Sequence, residues 1–123
     1  MPSYIFVEAS NSNVRRRARI RVCASFACRF RGLMLRRQLR RDEGLLLVGT
    51  RDSRLDSAIH MLFVPFDIAV VWIDAAMKVV DKTIAKSWRL AYVPARAARF
   101  ILEVHPDLIS EYEVGEKVEF IDA

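Results

Sequence analysis

The sequence predicts an α+β domain, mainly antiparallel β, with about seven strands curled into a barrel or sandwich, one packed helix and one short C-terminal helix. Two observations carry this expectation. Short apolar segments recur along the chain, separated by turn residues and not by regular helical crossovers. Only Phe26, Phe30, Leu33 and Met34 follow helical spacing over more than one turn. Size agrees: 123 residues, 53% of them hydrophobic and 28% charged, suit a single domain over residues 1–123 with one core.

Taken in order, "YIFVE" reads as a strand over Tyr4–Glu8 and "ASNSN" as the turn after it. In "RRRARIRVCA", Ala18, Ile20 and Val22 alternate with Arg17, Arg19 and Arg21, the period of a strand with an arginine-coated outer face. Ser25 is placed to cap the helix that follows, which should bury Phe26, Phe30, Leu33 and Met34 and end or bend near Leu35. "RRDEG" turns into a short buried strand, Gly44–Val48, and "GTRDSRLD" reads as a polar loop. Ser57–Val64 and Asp67–Asp74 are apolar strands divided by Pro65, which has no N–H for a ladder. In the second of them both alternating sets are apolar, so it should lie centrally with both faces covered. Lys78–Ile84, a weaker Trp88–Val93, Arg99–Val104 and Lys117–Ile121 complete the strands. Within Arg99–Val104, Phe100, Leu102 and Val104 should face in and Glu103 out. Pro106 suits the first turn of a short helix reaching about Tyr112.

The formal charge of +5 is unevenly spread. Residues 1–54 carry 13 Arg against Glu8, Asp42, Glu43 and Asp52, a net of +9; residues 55–123 carry seven bases against eleven acids, a net of −4. A nucleic-acid or acidic partner bound through these N-terminal arginines is one reading of the basic half. A solvated face is preferred, because the arginines lack the interleaved exposed aromatics that stack on bases. No apolar run reaches the roughly 18 residues of a membrane span. The N-terminus lacks the basic start and long apolar stretch of a signal peptide, so the expected location is cytoplasmic. Four residues separate Cys23 from Cys28, which is not the CxxC redox spacing, and reduced structural thiols are expected.

The search for chemistry excludes more than it finds. The four glycines match neither phosphate-loop pattern, and neither HExxH nor GxSxG is present. Two cysteines and two distant histidines do not make a structural zinc site, so no metal and no cofactor are expected. The polar residues that stand out are His60 and Asp67, set in "IHMLFVPFDIAVVWID". If the two apolar segments pair as a hairpin, these residues could approach one another and act as an acid–base pair. The preferred reading gives each a local role: Asp67 accepting backbone N–H bonds in the Pro65 turn, His60 satisfying a carbonyl.

"FRGLMLRRQLRRDEGLLLV", "VPFDIAVVWID" and "RFILEV…VGEKVEF" together resemble the domain of unknown function 192 family, over about Ile20 to Phe120. The RGLM helix, the acidic-Gly turn, the apolar-Pro-apolar-Asp-Ile motif and the late Leu-Glu pair stand in that family's order. The resemblance implies a mostly antiparallel β fold with a helix packed on it and supplies no function, the family's activity being unestablished. Where many members carry Met-x-Asn-Thr ahead of the proline motif, Ile59, Met61 and Leu62 stand here. The expectation is therefore a small binding domain without established catalysis. Its site would lie where the RGLM helix meets the Pro65 turn, with Arg31, His60 and Asp67 as polar contacts for a small molecule or protein.

Overall fold

Every residue of the run Ile68–Ile73 is buried, because its two alternating sets serve two separate cores. The computed structural model describes residues 3–9 and 18–123, Phe26 by its backbone alone. Its strands are β1 (Tyr4–Ala9), β2 (Arg19–Cys23), β3 (Glu43–Ser53), β4 (Ile68–Ile73), β5 (Val79–Ala85), β6 (Ala98–Val104) and β7 (Val118–Asp122). They form one curled sheet in the order β5-β4-β6-β3-β2-β1-β7, a half-barrel. Its two outer strands meet at one corner, where Val79 donates to the Glu116 carbonyl and Val118 donates to that of Met77.

Ala69, Val71 and Ile73 of β4 join Leu46, Val48, Phe100, Leu102 and Val104 in a core on the concave side. Leu108 and Tyr112 cover it from the 3₁₀ segment Pro106–Glu111 and the residue after it. Ile68, Val70 and Trp72 belong to a second core with Leu45, Leu47 and Ile101, on the other face. That face is covered by helix α1 (Phe26–Arg31), the Leu33 that follows it, and the segment running from Ser57 to Val64. Trp72 anchors the covering segment, its indole N–H donating to the Ser57 carbonyl at 2.7 Å. One buried indole thus ties irregular chain to the central strand.

The structure departs from the sequence expectations in several places. All neighbouring strands are antiparallel except β2 and β3, which run parallel, so the sheet is mixed. A helix between two adjacent strands of one sheet is the usual parallel crossover, and α1 supplies it. Ser57–Val64 and Trp88–Val93 are not strands. They are joined to each other by the isolated bridge of Ile59 to Tyr92 and by Met61, which donates to the Arg89 carbonyl and accepts from the Trp88 N–H. Positive φ at Phe63 and Trp88 breaks both segments into turns. The hairpin expected between Ser57–Val64 and Asp67–Asp74 does not form, since β4 pairs with β5 and β6 instead. In contrast, β3 runs on through most of the expected loop to Ser53, with a register shift after Val48.

The helix ends at Arg31, sooner than its apolar spacing suggests. Gly32 caps it at φ 48° and ψ −123°, a region closed to residues with a Cβ, and donates to the Cys28 carbonyl at 2.9 Å. Leu33 is consequently buried while Phe30 is 61% exposed, against the expectation for Phe30. Cys23 and Cys28 are not free thiols but a disulfide, with Cα atoms 5.6 Å apart, because α1 folds directly back over the end of β2. Glu103 does not face solvent: it is 4% exposed, since its side of β6 lies under α1 and the covering segment. Arg19 and Arg21 do point outward from β2, with Ile20 buried between them. The turn expected from Ser10 to Asn13 and the strand residues Arg15–Arg17 lie outside the described residues.

Candidate functional site

A helix of six residues has too few internal bonds to hold itself, so α1 depends on its attachments. The Ser25 hydroxyl accepts from the Cys28 N–H at its start, and the disulfide fastens it to β2. Fixed there, α1 and the turn after it roof a cavity of about 190 Å³ over the second core. Leu47 and Ile101 form the floor, and Ile59, Met61 and Val64 of the covering segment form one wall. Arg29 and Arg31 from α1, and Asp56 and His60 from the other side, bring charge and polarity to its lining.

One polar group lies deep in this apolar setting. The Glu103 carboxyl lines the cavity, and its Oε1 is buried with no hydrogen-bond partner among the described residues. Burial alone raises its pKa to about 7. A Cβ built on Gly32 would stand 3.7 Å from that oxygen, so the helix cap passes directly over the carboxyl. Neither Arg29 nor Arg31 has an ion-pair partner within 4.0 Å among the described residues, so neither arginine reaches Glu103. An unsatisfied buried acceptor costs free energy, and a native structure retains one where something outside the chain can satisfy it or where function needs it.

Of the residues singled out by sequence, Arg31 and His60 line this cavity and Asp67 does not. His60 Nε2 lies 3.2 Å from the Phe30 carbonyl, and the imidazole ring stacks obliquely on the Phe30 ring at 5.6 Å. Asp67 accepts from the Ser87 N–H at 2.9 Å and pairs with Lys86 Nζ at 3.3 Å. Both contacts favour the anion, and Asp67 is held below the ordinary carboxylate range, the Ser87 bond being the largest cause. His60 and Asp67 thus have different partners on different segments. Sequence reasoning missed Glu103; its only signal was a lone carboxylate set between the apolar Leu102 and Val104.

A second hollow of about 290 Å³ lies on the other side of Gly32, with Arg21, Arg31 and Arg36 around it. It contains no buried unpartnered polar atom, and Arg36 is already engaged by Glu43 at 2.6 Å. The cysteine pair is closed, and among the described residues no three His, Cys, Asp or Glu side chains gather as metal ligands. No helix among the described residues is long and apolar enough to cross a membrane.

The DUF192 family model, described as Uncharacterized ACR, matches residues 7–120. The chain belongs to that family. Among curated relatives, the UPF0127 protein TK1120 of Thermococcus kodakarensis is 40% identical over 98 residues, which cover 80% of this chain and 60% of the relative. The UPF0127 protein of Thermococcus gammatolerans is 37% identical over 97 residues, covering 79% and 61% respectively. The DUF192 chain therefore spans about three fifths of the length of these two relatives. Two solved structures share its fold. A crystal structure from Sinorhizobium meliloti, described as a putative transcription regulator, superposes with a TM-score of 0.82 at 14% identity over 95% of this chain and 92% of its own. A protein of unknown function from Novosphingobium aromaticivorans superposes at 0.78 with 16% identity, over 94% and 83%.

Proposed function

We propose that this DUF192 domain binds a small molecule in the cavity beneath α1 and catalyses no reaction on it. The observation that carries this reading is the buried, unpartnered Glu103 carboxyl lining an apolar hollow. Apolar walls with a few convergent polar groups are the usual make-up of a ligand site. At about 190 Å³ the hollow is smaller than most drug-sized sites and somewhat larger than cavities known to hold benzene, so the ligand has only a handful of heavy atoms. Arg31 and His60 are the polar contacts at its margin, and Asp67 serves the Lys86–Ser87 turn and not the Pro65 turn expected for it.

The alternative of an acid–base enzyme built on His60 and Asp67 has less support, since each is bonded to a different segment. A nucleic-acid role has little more. The description of the Sinorhizobium meliloti protein suggests one, but Arg36, Arg40 and Arg41 already pair with Glu43, Asp42 and Asp107. The disulfide removes one of the two supports for a cytoplasmic location, since closed pairs are uncommon in reducing compartments.

The test is titration of the ¹⁵N-labelled protein with 1-pentanol, a neutral molecule of suitable size. Shifts should centre on the amides of Gly32, Ile59, Ile101 and Glu103. Shifts centred elsewhere, or none at saturating alcohol, would end the small-ligand reading.

A further inference from the structure

We infer that the molecule held beneath α1 is a small primary amine, its ammonium group on the Glu103 carboxylate and its apolar body against Leu47, Ile59, Met61 and Ile101. This deepens the small-ligand reading and rests on it. An ionised carboxyl offers only acceptors, and among the described residues no donor reaches its buried Oε1. The ligand must therefore bring the donor. A charged donor makes a bond roughly twice as strong as a neutral one, and three N–H groups on one nitrogen can satisfy the carboxylate within a narrow hollow. An anionic end is excluded by like charge. A bare metal ion would need several protein ligands, and no such group stands there among the described residues.

The charged and titratable neighbours are few. Arg29 and Arg31 line the cavity from α1, Asp56 and His60 from the covering side, while β3 and β4 present only apolar side chains such as Leu47 and Ile68. Arg31 is largely exposed, and solvent screens it over a Debye length of about 8 Å at physiological salt. The contact at Glu103 is desolvated and unscreened, so it dominates the choice of ligand. When Glu103 enters the reaction protonated, its proton leaves to solvent as the ammonium binds. Affinity should accordingly fall about tenfold for each pH unit below about 7. It should then stay level until the amine itself deprotonates near pH ~10.

Three ligands with one apolar body separate the outcomes: pentylamine, 1-pentanol and pentanoate, titrated calorimetrically into the intact protein at pH 8.0 (~8) and again near pH ~5.5, either side of the Glu103 pKa. Pentylamine should bind at least ~10-fold more tightly than pentanol at the higher pH and lose that advantage at the lower one, with pentanoate weakest throughout. Glu103→Gln, which keeps the shape and removes the charge, should reduce pentylamine to the level of pentanol and leave pentanol unchanged. An amine that binds no better than the alcohol, or that keeps its advantage in Glu103→Gln, overturns the inference and leaves the cavity a site for neutral molecules. Binding by none of the three overturns the cavity reading and this inference together.

Discussion

His60 and Phe30 are joined across the cavity margin, with the imidazole Nε2 3.2 Å from the Phe30 carbonyl oxygen. The other ring nitrogen, Nδ1, accepts the Leu62 N–H at 3.3 Å. One nitrogen must donate and the other accept, so the two bonds together assign the neutral Nε2–H tautomer. The last turn of α1 and the covering segment are thereby linked by a single side chain.

Replacing His60 with Ala leaves the Phe30 carbonyl and the Leu62 N–H to water. Both groups are near the surface, so the expected loss is about 1 kcal/mol, at the low end for a broken hydrogen-bond pair. Urea denaturation checks it; a midpoint unchanged from the parent would mean that the link carries no stability.

Glu103 makes stability fall with pH. Its folded pKa of about 7 lies above the ordinary 4.5, so between those values the folded state binds a proton that the unfolded chain has released. The cost is absent below pH about 4.5 and complete above about 7, on the order of 3 kcal/mol. Glu103→Gln should therefore be more stable than the parent at pH ~8 and close to it at pH ~4.5, as read from thermal unfolding at both. Parallel pH profiles for the two proteins would contradict this account.

Cys23 and Cys28 should yield no free thiol when protein purified without reductant is unfolded and titrated, and its mass should be lower by two hydrogens. A loop this short restrains the unfolded chain modestly, so Cys23→Ser with Cys28→Ser should lose about 2 kcal/mol by the chain-entropy relation. The loss should appear first as early exchange of the α1 amides.

Asp67→Asn should have a small effect near neutrality. The amide oxygen can still accept from Ser87, and the Lys86 pair is exposed, so the expected loss is below ~1 kcal/mol. The depressed pKa gives the pH sense: the contribution is present above about 3.8 and is lost as pH falls through the lower folded value. Denaturation profiles of parent and variant should converge only in strong acid.

The arginines of the N-terminal half should not make a strong nucleic-acid surface. Arg36, Arg40 and Arg41 pair with acids, while Arg19 lies over the Tyr4 ring at 4.0 Å. Fluorescence anisotropy with labelled DNA and RNA should detect only weak binding that vanishes at ~150 mM salt. Sub-micromolar binding that survives such salt would show that these pairs open for a larger anion.

Much of this architecture was legible in the sequence, and the part that was not has a physical reason. The double burial of β4 could be read because both of its alternating sets are apolar. The burial of Glu103 could not, since alternation tells which side of β6 a residue occupies and not what lies over it. Its cover is an irregular segment whose turns depend on positive φ at Phe63 and Trp88, residues that give no such hint by type. The parallel step from β2 to β3 did have a signal, the helix between two apolar segments, which an expectation of uniform antiparallel pairing passed over. His60 and Arg31 were placed near the site by the RGLM and proline motifs. The disulfide escaped because the spacing of two cysteines does not reveal how sharply the chain turns between them.

The strand order also bears on how the chain acquires its shape. β6 lies between β3 and β4, yet it follows both in sequence, so these two strands lack their shared neighbour until residue 104 has been made. The β4–β5 hairpin can form early from local contacts, but β3 must wait with "LLLV" unpaired on one edge, and β1 must wait for β7. Pairings between distant segments are slow, and apolar strand edges left open meanwhile invite association between chains. Refolding should therefore be slow for a domain of this size, and its yield should fall as protein concentration rises.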